Sequence, residues 1–241
     1  ICEIRIADPE FFDVSNINRQ FAARKLSVGV SKAFETARML RDITDDSAIE
    51  VYGMGIDSLM LHQFLSGTAV VIDEIEFWNI GSCILMHQHA RKYKVPILNA
   101  LTVGFAAYVH LFTETSEPVE EMLGMSLEEG LMLERAVLNG TVTTSERTRI
   151  MDAALSCFIP DQPKYYAGKS AHLHQELVLD RLLKEGRAPI IATNPPFAGG
   201  LVADHALLVI LEKLGLAERE ITLVPPSPGY AKIDAATFTV M

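Results

Sequence analysis

Cysteine is scarce in this sequence, at three of 241 residues. Cys2, Cys83 and Cys157 are widely spaced and form no C-x-x-C pair, which excludes a disulfide framework and a four-cysteine zinc site. Basic residues are also in deficit. Lys and Arg number 21 against 31 Asp and Glu, giving a formal net charge of −10 and a pI near 5.2. A surface built chiefly to hold nucleic acid or anionic lipid is therefore excluded, and a local basic pocket is the most that positive charge can form. Apolar runs such as Ala206 to Leu211 fall far short of the ~20 residues that span a bilayer, and no signal peptide opens the chain, so a cytoplasmic location is expected. Internal repeats, low-complexity tracts and long Gly/Ser linkers are absent as well.

What remains is the composition of a folded protein. With 49% hydrophobic and 22% charged residues, the chain can bury a substantial core as one large domain or two small ones. Ile1 to Ala7 alternates like a strand and stops at Asp8-Pro9. From Gly29 to Ile43 the apolar positions Val30, Phe34, Ala37, Leu40 and Ile43 recur at helical spacing. Ile49 to Met54 reads as a second strand, Asp57 to Leu65 as a helix, and Ala69 to Ile72 as a strand covered on both faces and ending at Asp73. Cys83 to Lys94 is helical, and Val95 to Leu98 and Ala106 to Phe112 are two further strands. This alternation predicts an α/β fold with a Rossmann-like, mostly parallel, doubly wound sheet flanked by helices.

Pro118 to Leu138, rich in Glu, Met and Leu, begins a helical insertion, and Thr143 with Glu146 forms a capping box for a helix through Cys157. Further helices run from Leu173 to Lys184 and from Leu201 to Leu214, each stopped by glycine. The tail from Ile221 to Val240 is expected to close as a pair of strands. Three parts follow: residues 1–115 as a nucleotide-binding core, 116–187 as a helical insertion or crossover region, and 188–241 as the helix and strands that complete the core.

The stretch from Asp8 to Gln20, followed by Lys32, carries the chemistry. An acid at a strand tip can accept hydrogen bonds from both ribose hydroxyls, while a guanidinium and an ammonium can neutralise phosphate oxygens. Taken singly, an Asp-Pro turn or a surface Arg or Lys is more often only structural. The spacing of Asp8, Glu10, Ser15, Asn16, Arg19, Gln20, Val28, Gly29 and Lys32, however, resembles that of the ThiF/MoeB family of ubiquitin-activating-like adenylyltransferases. Its pattern is a strand, D-x-D/E, S-N-hydrophobic-x-R-Q, and a Lys after a V-G or I-G pair.

The resemblance implies ATP and Mg²⁺ as cofactors. Asp8 would be the ribose ligand, Asn16, Arg19 and Lys32 would surround the phosphates, Glu10 would fall in the same nucleotide-binding register, and Gln20 would support the loop. Val70 to Asp73 followed by Glu76 resembles the family's strand ending in D-x-x-D, whose last acid holds magnesium, so Glu76 or Asp73 is the expected metal ligand. Lys94 to Ile97 and Gly104 to Phe112 resemble the next two strands. Departures include Glu76 in place of Asp and the missing downstream Arg. The family's G-x-G-x-x-G turn also has no counterpart, since Gly53-Met54-Gly55 is a lone G-x-G, and weak or absent ATP binding by this polypeptide alone is the expectation.

Cys157 lies where some family members carry a catalytic cysteine, although a cysteine ending an amphipathic helix is more often a buried small apolar residue. His87 and His89, like His172 and His174, are two apart and form no metal pair on one helical face. The Met-rich helices around Met122, Met125 and Met132 are read as core or subunit-interface packing.

Three functions compete. The first is an adenylyltransferase in which Arg19 and Lys32 stabilise charge as a carboxylate attacks ATP. The second is a catalytically degenerate ThiF-like scaffold subunit. The third, a nicotinamide oxidoreductase, leaves the S-N-x-x-R-Q segment without a purpose. The resemblance further implies a homodimer. The substrate carboxylate is that of a ubiquitin-like protein, a peptide or a small molecule, and nucleic acid enters only as a modified tRNA base.

Overall fold

The computed structural model describes residues 3–44, 48–163, 175–186, 190–216 and 223–241. Cys2, His172, His174 and the start of the tail at Ile221 lie outside them. The chain packs as two compact units, Ile1–Ser66 and Gly67–Met241.

In the first unit, strands β1 (Ile4–Ala7) and β2 (Ile49–Tyr52) pair in parallel, with Ile4 opposite Ile49 and Ala7 opposite Tyr52. Parallel partners require a crossover, and helix α1 (Lys32–Thr44) supplies it. Its buried stripe differs from the large apolar positions that periodicity selects. Ala33 and Ala37 are fully buried, whereas Phe34 is 57% and Ile43 71% exposed. A short helix α2 (Leu61–Leu65) follows. The guanidinium of Arg5 donates to the carbonyls of Gln63, Phe64 and Ser66 at 2.7–3.0 Å, satisfying acceptors that a helix C-terminus leaves open.

The second unit holds a five-stranded sheet in the order β3 (Val71–Asp73), β4 (Ile97–Val103), β5 (Ala106–Phe112), β6 (Ala231–Asp234) and β7 (Thr239–Val240). β3 and β4 are parallel and joined through helix α3 (Ile80–Tyr93); the remaining pairs are antiparallel. The α/β class, with parallel strand pairs flanked by helices, is the expected one. β5 nevertheless runs antiparallel to β4, because only Gly104 and Phe105 separate them and so short a connection can make only a hairpin.

Alternation along β4 and β5 divides their residues between two faces. Leu98, Ala100, Val109 and Leu111 pack against Ala198, Val202, Ala206 and Val209 of helix α8 (Asn194–Lys213). By length and composition α8 could cross a membrane, but here its small and apolar stripe lies on the sheet. On the opposite face His110 meets the Phe158 carbonyl at the end of helix α6 (Thr144–Phe158). Between β5 and α8 lie α4 (Val119–Met122), α5 (Leu127–Leu138) and α6. The Thr143/Glu146 capping box forms as expected.

α3 and α5 meet where two glycines face each other. A Cβ built on Gly81 would lie 2.5 Å from the Leu131 nitrogen, so only hydrogen at that position permits the approach. Helix α7 (Asp180–Glu185) ends at Gly186, whose carbonyl accepts a 2.9 Å hydrogen bond from the Trp78 indole.

Candidate functional site

Beyond β1 the chain leaves the strand at Asp8, runs through a short turn and doubles back. Phe12 N donates to Val30 O (2.9 Å), Gly29 N to Phe12 O (2.8 Å) and Lys32 N to Glu10 O (2.9 Å). Phe11 also bridges Ser31. Gly29 has φ of +81°, a left-handed value that glycine adopts at little cost, which is the physical reason for a V-G pair just before the lysine.

The return carries Lys32 to the strand tip. Its ammonium pairs with the Glu10 carboxylate, and its side chain is 13% exposed against 60% for Glu10. Asp8 accepts the Glu10 amide at 2.8 Å. Burial pushes the Asp8 carboxyl above its ordinary value, against the opposing pull of the Glu10 amide and the Lys32 charge. Asp8, Glu10 and Lys32 thus form one cluster.

The other residues of the segment take different places. Asn16 is buried, and its Oδ1 accepts the Asp13 amide at 2.9 Å while Asp13 Oδ1 accepts the Ser15 amide at 2.8 Å. These bonds cap the turn Val14–Asn16, so Asn16 Oδ1 braces the loop. The Gln20 amide donates to the Asn16 carbonyl at 3.0 Å and extends the same turn. Arg19 is partly buried, and its hydrogen bonds go to the Ser15 carbonyl and to Asn18 Oδ1. Among the described residues no hydrogen bond or ion pair joins it to the Asp8–Glu10–Lys32 cluster.

In the second unit Asp73 ends β3 and turns inward. Its Oδ1 accepts the Ile75 amide at 2.8 Å, and its Oδ2 lies 2.9 Å from His87 Nε2 and 3.8 Å from Cys83 Sγ. Its side chain is 1% exposed, and both carboxylate oxygens meet partners inside the fold. Glu76, the other acid of this loop, is exposed at the start of the turn Phe77–Asn79.

Burial, reinforced by the charge of Glu117, pushes the Cys157 thiol up to about 12, and burial likewise raises Cys83. Neither thiol is poised as a nucleophile in this arrangement. The Cys83–His87 pairing was readable as a C-x-x-x-H spacing on a predicted helix. Sequence reading instead set His87 beside His89, which bonds to the Leu85 carbonyl of its own helix at 3.0 Å.

A family model described as the ThiF family matches residues 1–241. The chain is 24% identical over 127 residues to the SAMP-activating enzyme E1 of Haloferax volcanii, a match covering 48% of this chain and 46% of that protein. It is 29% identical over 97 residues to the uncharacterized protein MT1398 of Mycobacterium tuberculosis, covering 40% and 13% respectively. The matched stretch is under half the length of either relative. Among solved structures, E. coli MccB with MccA-N7isoASN shares 15% identity at a TM-score of 0.57, over 100% of this chain and 56% of that one. PaaA shares 12% at 0.54, over 99% and 62%. These structural likenesses show the fold.

Proposed function

The chain belongs to the ThiF family, and from that premise we propose that it is an ATP-dependent adenylyltransferase activating a substrate carboxylate as an acyl-adenylate. The observation that carries the reading is the return loop that sets Lys32 against Glu10 and within electrostatic reach of Asp8. In the reaction a carboxylate oxygen of the substrate attacks the α-phosphorus of ATP. The bond from that phosphorus to the bridging oxygen breaks, and pyrophosphate leaves with the electron pair.

Each side chain has a task set by its chemistry. Asp8 accepts hydrogen bonds from the ribose hydroxyls. Lys32 exchanges the exposed Glu10 carboxylate for phosphate oxygens and offsets the charge that builds during attack. Arg19, held by its own turn, serves as the second cation. Asn16 and Gln20 keep the loop in shape. Glu76 is the proposed magnesium ligand, and the ion, when bound, neutralises the polyphosphate. Catalysis is then mostly positioning and electrostatics rather than proton transfer.

For the substrate, the relatives point to a macromolecular or peptide-like carboxylate: one is named for activating SAMP, and one solved neighbour is held with MccA-N7isoASN. A cytoplasmic homodimer completes the reading. A second reading, a degenerate scaffold subunit, draws on the inward turn of Asp73 and the internal commitments of Asn16.

Carboxylate-dependent ATP–pyrophosphate exchange, assayed with a panel of C-terminal peptides and small acids, separates the two. The adenylyltransferase reading expects Mg²⁺-dependent exchange that drops about 100-fold or more in Lys32→Ala and substantially in Arg19→Ala. Exchange indifferent to both substitutions would contradict it, and a folded protein without exchange would favour the scaffold.

A further inference from the structure

On the face of the sheet opposite α8, strand register sets Asp73, Asn99 and His110 side by side, since Asp73 pairs with Asn99 and Asn99 with His110. All three are buried, at 3%, 5% and 0% exposure. A polar row in a core is costly unless its groups find partners. Asn99 Nδ2 donates to the Asp73 carbonyl at 2.8 Å, and His110 Nε2 lies 2.8 Å from the Phe158 carbonyl, to which it donates. Among the described residues, Asn99 Oδ1 and His110 Nδ1 have no hydrogen-bond partner. Both are lone-pair acceptors, so the row contains bare electron pairs where a cation would be welcome.

α3 adds two more donors of the same kind. Cys83 and His87 stand one helical turn apart on one face, and Cys83 Sγ, His87 Nε2 and an Asp73 carboxylate oxygen all lie within 4.8 Å of one another. Thiolate, imidazole and carboxylate are the ligand types that zinc takes at about 2.0–2.3 Å. Ligands at those lengths around a tetrahedral ion sit roughly 3.3–3.8 Å apart, so the observed 2.9 and 3.8 Å separations call for shifts of a few tenths of an ångström. Charge favours the set as well. One thiolate, one carboxylate and a neutral imidazole cancel a divalent cation, leaving no net charge in the core.

We propose that Asp73, Cys83 and His87 form a buried site for one zinc-class divalent cation, on the strand position next to Asn99 and its unpartnered Oδ1. This site is separate from the magnesium expected at Glu76, and its standing does not depend on the adenylyltransferase reading. On binding, the Cys83 thiol releases its proton to solvent as the metal–sulfur bond forms. The Nε2 lone pair of His87 turns to the metal, its ring proton resides on Nδ1, and the direct His87–Asp73 contact is replaced by coordination. The ion would pin the end of β3 to α3.

Metal analysis of the purified chain and titration of the metal-free protein with Co²⁺ test the assignment. The expected results are one chelator-removable ion per chain and a cobalt spectrum with intense visible bands and a sulfur-to-cobalt charge-transfer band. Cys83→Ser should abolish the charge-transfer band and His87→Ala the tetrahedral spectrum, while Cys157→Ala keeps both. Asn99→Ala should weaken Co²⁺ binding about 10–100-fold. Circular dichroism of each variant distinguishes lost ligation from lost folding, and Cys83→Ala supplies a second, apolar replacement. Wild-type protein that is folded yet takes up no stoichiometric Co²⁺ overturns the proposal. So does a charge-transfer band that survives in folded Cys83→Ser and Cys83→Ala.

Discussion

Replacing Gly81 by alanine places a methyl group 2.5 Å from the Leu131 nitrogen, 2.6 Å from its Cα and 2.8 Å from the Gly130 carbonyl carbon. Ordinary carbon contacts are about 3.5–4.0 Å, so the α3 and α5 backbones must part by roughly 1 Å. Neither backbone can rotate out of the way as a side chain would. Overpacking of this kind costs about 1–3 kcal/mol. Rigid backbone on the facing side puts the cost in the upper part of that range; alanine recovers up to about 1 kcal/mol through its better helix propensity, which leaves a net loss of about 1–2 kcal/mol. For a chain of this size that is a fall in Tm of roughly 2–8 °C. Gly199, also helical, has nothing within 4 Å of an added Cβ, so Gly199→Ala should gain up to about 1 kcal/mol from propensity alone. Trp78 is the sole tryptophan and lies in the second unit, so its fluorescence during thermal unfolding follows the unit in question. Gly81→Ala as stable as wild type, or Gly199→Ala less stable, would refute the packing argument.

Other consequences are equally open to measurement. Cys157, its thiol pushed up to about 12, should have a thiolate fraction of about 10⁻⁴ at pH 8 and resist iodoacetamide until urea unfolds the chain; rapid labelling in the folded state would contradict its burial. Thr143→Ala removes the hydroxyl that accepts the Glu146 amide at 3.2 Å and should cost about 1 kcal/mol, read as a lower urea midpoint. Asp8 holds its proton to higher pH when folded than its ordinary 3.8. Its contribution to stability is therefore fully present below 3.8 and is lost as pH rises through the folded value. Asp8→Asn should accordingly be the more stable protein at neutral pH, by under about 1 kcal/mol because the site is half open to water. The difference should vanish in acid, and urea midpoints across pH that show no such convergence would count against the assigned cause.

Much of this was legible in residue order because it rests on local rules. The Asp8–Lys32 segment has fixed spacing, the Thr143/Glu146 box is a short-range bond, and the β1–α1–β2 crossover follows from the length of the connection. Strand direction was misjudged at β5, where two apolar runs looked alike and the two-residue Gly104–Phe105 link was the deciding signal. The stripe of α1 was legible only in part: periodicity picks Ala37, which is buried, together with Phe34 and Ile43, which are exposed, and passes over Ala33 and Glu35, which are buried. Asn16 and Asp73 show a further limit. Their residue types suit ligand binding, but the partners they meet, Asp13 for Asn16 and His87 for Asp73, are set by how the chain folds back.

The central claim, that Asp8 and Lys32 hold one ATP, is tested most directly by photo-crosslinking with 8-azido-ATP followed by peptide mapping. The account predicts that label falls on peptides spanning residues 8–32, is displaced by excess ATP, and falls sharply in Lys32→Ala. Label confined to other peptides, or incorporated equally in Lys32→Ala and in the presence of ATP, would contradict it.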